Sequence, residues 1–265
     1  MKAVDELRYR LKRELSLAQI DSEIPDLSTK HTATCHQIAA NAWFSAFVYA
    51  KSLNDNNALL YSQRADEYYQ KAYDVHPPGQ LYNLTQLYIN AVLRGDDTRL
   101  DLAKHISIMA YDKTQDEVHS VLTLVGALLS VNLSVKDFLP RLANEEEHKS
   151  DIVPLGSTDA VKAILSNDEP ALINSVDELL AIHAKRAGNL RSSISIGSSN
   201  TVICRMAILL CEAAQQRGMD ITEKLSKRRQ KMNLRLCSPA EFPDIKETIK
   251  FPLEVDFLTG QAFLK

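Results

Sequence analysis

Metal and nucleophile chemistry needs a few side chains at fixed spacing, and His31, Cys35 and His36 are the first candidates. His31 and Cys35 stand one helical turn apart and could share a metal ion. A zinc site takes three or four ligands, and no matching pair occurs elsewhere in the chain. The expectation is therefore no metal, with Cys35 in the core and the histidines lining a helix end. Cys204 and Cys211 would sit roughly 10 Å apart on one straight helix, too far for a disulfide, and read as small buried hydrophobes. The run from Ser192 to Asn200 offers hydroxyls and Gly197, but no G-x-S-x-G elbow and no preceding strand. It reads as a loop and helix cap. His183 falls on an apolar helical stripe, where a satisfied core or interface histidine is expected rather than a base. With no nucleophile, base and oxyanion set in view, the chain is expected not to be an enzyme and to need no cofactor.

Charge is the other source of chemistry. Acidic side chains cluster at Asp96-Asp97, Glu145-Glu146-Glu147, Asp168-Glu169 and Asp177-Glu178. They suit helix starts and solvated faces, and can also capture a basic protein. A basic run, Lys224, Lys227, Arg228, Arg229, Lys231 and Arg235, contains no acid. It also lacks aromatic residues that would stack on bases, so it reads first as a solvated face and, as the alternative, as a surface for an acidic protein rather than nucleic acid. The candidate partner-binding residues are Glu145, Glu146, Glu147, Asp168, Glu169, Asp177, Glu178, Lys227, Arg228 and Arg229. All nine tyrosines lie between Tyr9 and Tyr111, where most serve packing and some suit interface anchors.

These residues are set in a chain of 265 residues with 31 Lys+Arg against 34 Asp+Glu, a net charge of −3. That balance disfavours a general nucleic-acid binder. Glycine is scarce, 8 residues in all, which argues against Gly-rich phosphate loops and for helices with short connections. The first residues contain no apolar run of signal-peptide type, and no stretch is long and apolar enough to span a membrane. A cytoplasmic protein is expected, with no membrane partner.

Helical periodicity dominates. Val4, Leu7, Leu11 and Leu15 mark an amphipathic first helix, with Glu6, Arg8, Arg10 and Lys12 between them. Thr32 to about Leu53 is a second helix whose centre, Ile38 to Ala50, is apolar on most sides and should be central. Helices follow over about 57–75, from Leu81 to Gly95, from Asp96, and from Asp116, with a short one from Val135 to Leu142. The polar stretch 144–157 suits a loop or a subdomain joint within a single domain, 1–265. Further helices are expected from Thr158 to Leu165, from Asn167-Asp168-Glu169-Pro170 to Gly188, from Thr201 to Arg217, and over the basic residues from Lys224 to Arg235. In the tail, Ile249, Phe251, Leu253, Val255 and Phe257 alternate with polar residues and Pro252. That is an extended strip with one buried face, and Pro252 is expected to bar it from a central strand. The expected architecture is all-α, an irregular bundle of about ten packed antiparallel helices with an extended C-terminal segment and little or no sheet. The Leu59–Tyr111 region has the rhythm of a tetratricopeptide hairpin, without a fixed repeat period.

One ordering in the second half is distinctive. A helix opens with Asn167-Asp168-Glu169-Pro170-Ala171-Leu172 and carries Leu179-Leu180-Ala181-Ile182-His183 near its end. After a Ser-rich stretch come Ser199-Asn200-Thr201 and an apolar helix with Ala207-Ile208-Leu209-Leu210-Cys211-Glu212-Ala213-Ala214, closed by Arg217-Gly218-Met219. This resembles the immunity protein 49 family of bacterial polymorphic-toxin systems, in which a helix ending in Leu-x-x-His precedes one closed by a small residue and glycine. The early helix with Trp43 and the Gly95-Asp96 helix start are similar too. The resemblance spans roughly residues 30–235, and its motifs are degenerate helical patterns. The run Lys224–Arg235 and the alternating tail have no counterpart. The resemblance implies an all-helical cytosolic protein that binds a cognate toxin and blocks it by stoichiometric occlusion, without turnover. It carries over no catalytic residue and gives His183 a structural role. The competing expectations are a tetratricopeptide-like scaffold that binds a peptide or protein and, more remotely, a helical hydrolase using a metal at His31, Cys35 or His36.

Overall fold

Apolar residues at helical spacing gain most by packing one helix against another, and the chain does this along most of its length. The structure, a computed structural model, describes residues 3–22, 29–75, 81–114, 156–187, 199–226, 230–235 and 250–264. The helices expected from Asp116 and Val135 lie outside these residues. So do most of the 144–157 stretch and most of the Ser-rich run. Among the described residues the protein is all-α in class, with nine α-helices and one small sheet. The helices are α1 (Ala3–Ser22), α2 (Thr29–Ser52), α3 (Ala58–Val75), α4 (Leu81–Arg94), α5 (Arg99–Thr114), α6 (Ser157–Ser166), α7 (Glu169–Ala187), α8 (Arg205–Gln216) and α9 (Thr222–Ser226). The strands are β1 (Gln230–Arg235), β2 (Lys250–Val255) and β3 (Ala262–Phe263).

The chain divides into two compact units. One comprises Met1–Ala72, Ala181–Cys204 and Arg229–Lys265; the other comprises Tyr73–Leu180 and Arg205–Arg228. The division falls within α7. In the first unit α1 packs along α2. Phe44, Phe47, Val48 and Tyr49 of α2 are buried with Leu7 of α1 and Tyr69 of α3, so the central role expected of α2 is met. In the second unit α4 and α5 form a hairpin, and α8 packs on α4 and α6. Met206 to Ala214 of α8 are all buried. The two charges on that helix have partners: Arg205 Nη1 donates to Gln86 Oε1, and Glu212 pairs with Arg99 at 3.1 Å.

Three expectations are corrected. First, the basic helix ends at Ser226, and Gln230–Arg235 is a strand. Met232 lies opposite Leu253 in the antiparallel β1–β2 register, and both are buried. Apolar Met232 and Leu234 alternate with polar neighbours, so pairing with the tail overrides the helical preference of the lysines and arginines. Second, the tail is no lone strip but the middle strand of a three-stranded sheet, ordered β1-β2-β3. Pro252 is tolerated because β3 pairs only with Glu254 and Val255, which leaves β2 flanked on one side at the proline. The buried face itself is as expected, with Leu253, Val255 and Phe257 inside. Third, the helix expected from Thr201 begins at Arg205. Ser199–Thr201 is a 3-10 turn, and the Cys204 amide donates to the Phe257 carbonyl rather than into a helix. Cys204 therefore precedes the helix that carries Cys211.

Helix α1 also differs from a simple polar-face pattern. Arg8 and Lys12 are exposed, but Glu6 and Arg10 are buried. Arg10 Nε donates to Glu6 Oε1 at 2.6 Å and Arg10 Nη1 to Thr201 Oγ1 at 3.3 Å. The Tyr49 hydroxyl hydrogen-bonds to both Arg10 and Thr201. A buried charge persists only when paired and hydrogen-bonded in this way.

Candidate partner-binding surface

The acidic cluster at the start of α7 is built by a sharp turn. Asn167, in the left-handed conformation at φ 57°, ends α6. Asp168 then caps α7: its Oδ1 accepts from the Ala171 amide at 3.1 Å. Pro170 fits the first turn, where its missing N–H costs nothing. Glu169 forms an ion pair with Lys224 of α9. Further along α7, Asp177 is half-buried and Glu178 is exposed. The structure thus brings Asp168 and Glu169 together with a basic residue, and both have local roles. Glu145, Glu146, Glu147, Lys227, Arg228 and Arg229 lie outside the described residues.

The Asp96-Asp97 pair behaves alike. Asp96 accepts from the Thr98 amide and from Arg94, and these hydrogen bonds hold its carboxyl below the usual range. Asp97 pairs with Arg99.

His183 is buried near the C-terminal end of α7. Its Nε2 lies 2.8 Å from the Asn200 carbonyl oxygen, so Nε2 carries the hydrogen and donates. Its ring meets Phe257 edge-on, with centroids 4.9 Å apart. Burial pushes its pKa down to about 4, against the opposing pull of hydrogen bonds with the Asn200 and Ile203 backbone. The imidazole is neutral at pH 7 and ties α7 to the 3-10 turn and the tail.

On α2, His31 is exposed, Cys35 is half-buried rather than core, and the His36 ring lies 5.9 Å from Tyr68. Among the described residues, no group of three or more His, Cys, Asp or Glu side chains is placed to hold a metal, and no helix is long and apolar enough to cross a membrane.

Two features of the first unit were not read from the sequence. One is the buried Glu6–Arg10–Tyr49–Thr201 cluster, of which the i,i+4 spacing of Glu6 and Arg10 was the available signal. The other is a groove of about 540 Å³ along one flank of α1. It joins segments far apart in the chain, which no local pattern reveals. Comparison with family models, curated proteins and solved structures gave no significant match.

Proposed function

We propose that the protein is an immunity protein that binds a cognate bacterial toxin and neutralises it by stoichiometric occlusion. The observation that carries this reading is the order of elements in the second half. The helix opened by Asp168-Glu169-Pro170 carries Leu180-Ala181-Ile182-His183, and the apolar helix that follows ends before Gly218. That is the ordering by which the sequence resembles the immunity protein 49 family, and α7 and α8 fall on those two segments. Neutralisation by occlusion needs a stable scaffold and an exposed recognition surface, with no reacting group. The expected partner is a toxin protein, and the expected compartment is the cytoplasm.

The test is co-expression with a toxin gene lying directly upstream. Restored growth supports the reading, and continued killing in the presence of soluble, folded protein contradicts it. The α4/α5 hairpin is the feature that favours the alternative, a helical scaffold that captures a peptide. Such a scaffold would bind its peptide without altering the growth of toxin-expressing cells.

A further inference from the structure

The groove in the first unit is walled by one flank of α1, by the turn between α2 and α3, and by Leu264 near the end of the chain. Leu11, Leu15, Leu53 and Leu264 line its apolar part, and all but Leu11 keep some exposure. Its volume falls within the range of clefts that take up ligand groups, about 300–1,000 Å³. The opposite wall is fixed: the Tyr61 ring stacks on Trp43 with centroids 5.9 Å apart.

Charge sets what can enter. Arg8 and Lys12, four apart on α1, line the groove, are exposed, and make no ion pair among the described residues. Other cations of this unit have carboxylate partners: Arg13 pairs with Glu14, and Arg64 and Lys71 share Glu67. The lining acid, Asp55, is held to its own turn, its Oδ1 accepting from both the backbone and the side-chain amide of Asn57, and it leaves the two lining cations in excess. By contrast, Asp168 and Glu169 on α7 are engaged within their own unit.

We infer that this groove docks an acidic amphipathic segment of the toxin. Its apolar side chains rest on Leu11, Leu15, Leu53 and Leu264, and two carboxylates about one helical turn apart pair with Arg8 and Lys12. This rests on the immunity reading and names the surface that the reading leaves open. Arg8 and Lys12 stand one turn apart, about 6 Å along the helix axis, which matches carboxylates at i and i+4 of a docked helix. Such charges steer association and fix register, while the apolar contacts supply area.

The test is a binding titration of the purified toxin domain encoded by the neighbouring gene. The proteins compared are the wild type, Arg8→Glu/Lys12→Glu, Arg8→Gln/Lys12→Gln and Asp168→Lys/Glu178→Lys, at low and high salt, each first checked for an unchanged far-ultraviolet spectrum. Both lining cations are exposed, so their variants should stay folded. The expected result is at least about tenfold weaker binding for the double reversal, a smaller loss for the glutamine pair, and a flatter salt dependence in both. If the wild type binds and the groove variants bind equally well, the groove is not the docking surface, while the immunity reading stands. If only the Asp168/Glu178 variant weakens binding, the acidic face is the interface and the groove assignment falls. If the wild type does not bind, the immunity reading fails and this inference fails with it.

Discussion

His183 Nε2 lies 2.8 Å from the carbonyl oxygen of Asn200, and this hydrogen bond ties the end of α7 to the 3-10 turn at Ser199–Thr201. The folded-state pKa of about 4 lies below the ordinary value of 6.5. The unfolded chain therefore takes up the proton first. Stability from the neutral ring is complete above pH 6.5, declines as the pH falls, and is exhausted near pH 4. The span corresponds to at most ~3 kcal/mol. Chemical denaturation between pH 7.5 and 4.5 should show this loss in the wild type. His183→Leu should lack that component of the pH dependence. An identical pH slope in the variant would show that another group carries it.

The Glu6–Arg10 pair makes a separate prediction. Removing one partner strands the other in a buried site, so Glu6→Leu or Arg10→Met alone should each cost about 3 kcal/mol. Replacing both removes the stranded charge, and the double variant should be less destabilised than the two single losses added together. A double-mutant cycle in urea measures this, with an expected coupling of about 1–3 kcal/mol. Simple additivity would mean that the two side chains do not depend on each other.

Gly260 and Gly95 have nearly the same φ, +72° and +71°. They differ in surroundings. A Cβ at Gly260 would lie 3.1 Å from Ile203 Cγ2, whereas one at Gly95 meets nothing within 4 Å. Gly95→Ala should cost only the conformational term, about 1–2 kcal/mol. Gly260→Ala should cost more, because the contact adds to the same term. Thermal melts of the two variants give the comparison directly.

Asp168 tests capping against charge. Asp168→Ala removes the acceptor for the Ala171 amide and should cost about 1 kcal/mol, while Asp168→Asn keeps the cap and removes the charge. Near-wild-type stability in Asp168→Asn, with a clear loss in Asp168→Ala, assigns the residue to the helix start. Equal losses would point to its charge instead.

Local patterns made much of the fold legible. Asp168, Pro170 and the apolar stripe through Val176 and Leu180 mark α7 because caps and periodicity act over a few residues. The alternation of Leu253, Val255 and Phe257 marks the buried face of the tail for the same reason. What escaped depends on distant partners. Gln230–Arg235 becomes a strand only because the tail pairs with it, and Thr201–Cys204 leave the helix because the Cys204 amide is taken by Phe257. Glu6 and Arg10 look like surface charges until Tyr49 and Thr201 close around them. The acidic residues chosen for partner binding were legible as a cluster, but Asp168 and Glu169 have partners of their own. Arg8 and Lys12 read only as polar residues of an amphipathic helix, because nothing in α1 alone shows that they line a groove.

The central claim, occlusion without turnover, is tested most directly by titrating the protein into a fixed amount of active toxin and measuring residual toxin activity. Occlusion predicts a linear fall that reaches zero at one equivalent, with intact toxin recovered from the complex. Complete loss of activity at a small fraction of an equivalent, or full activity at an excess, would contradict it.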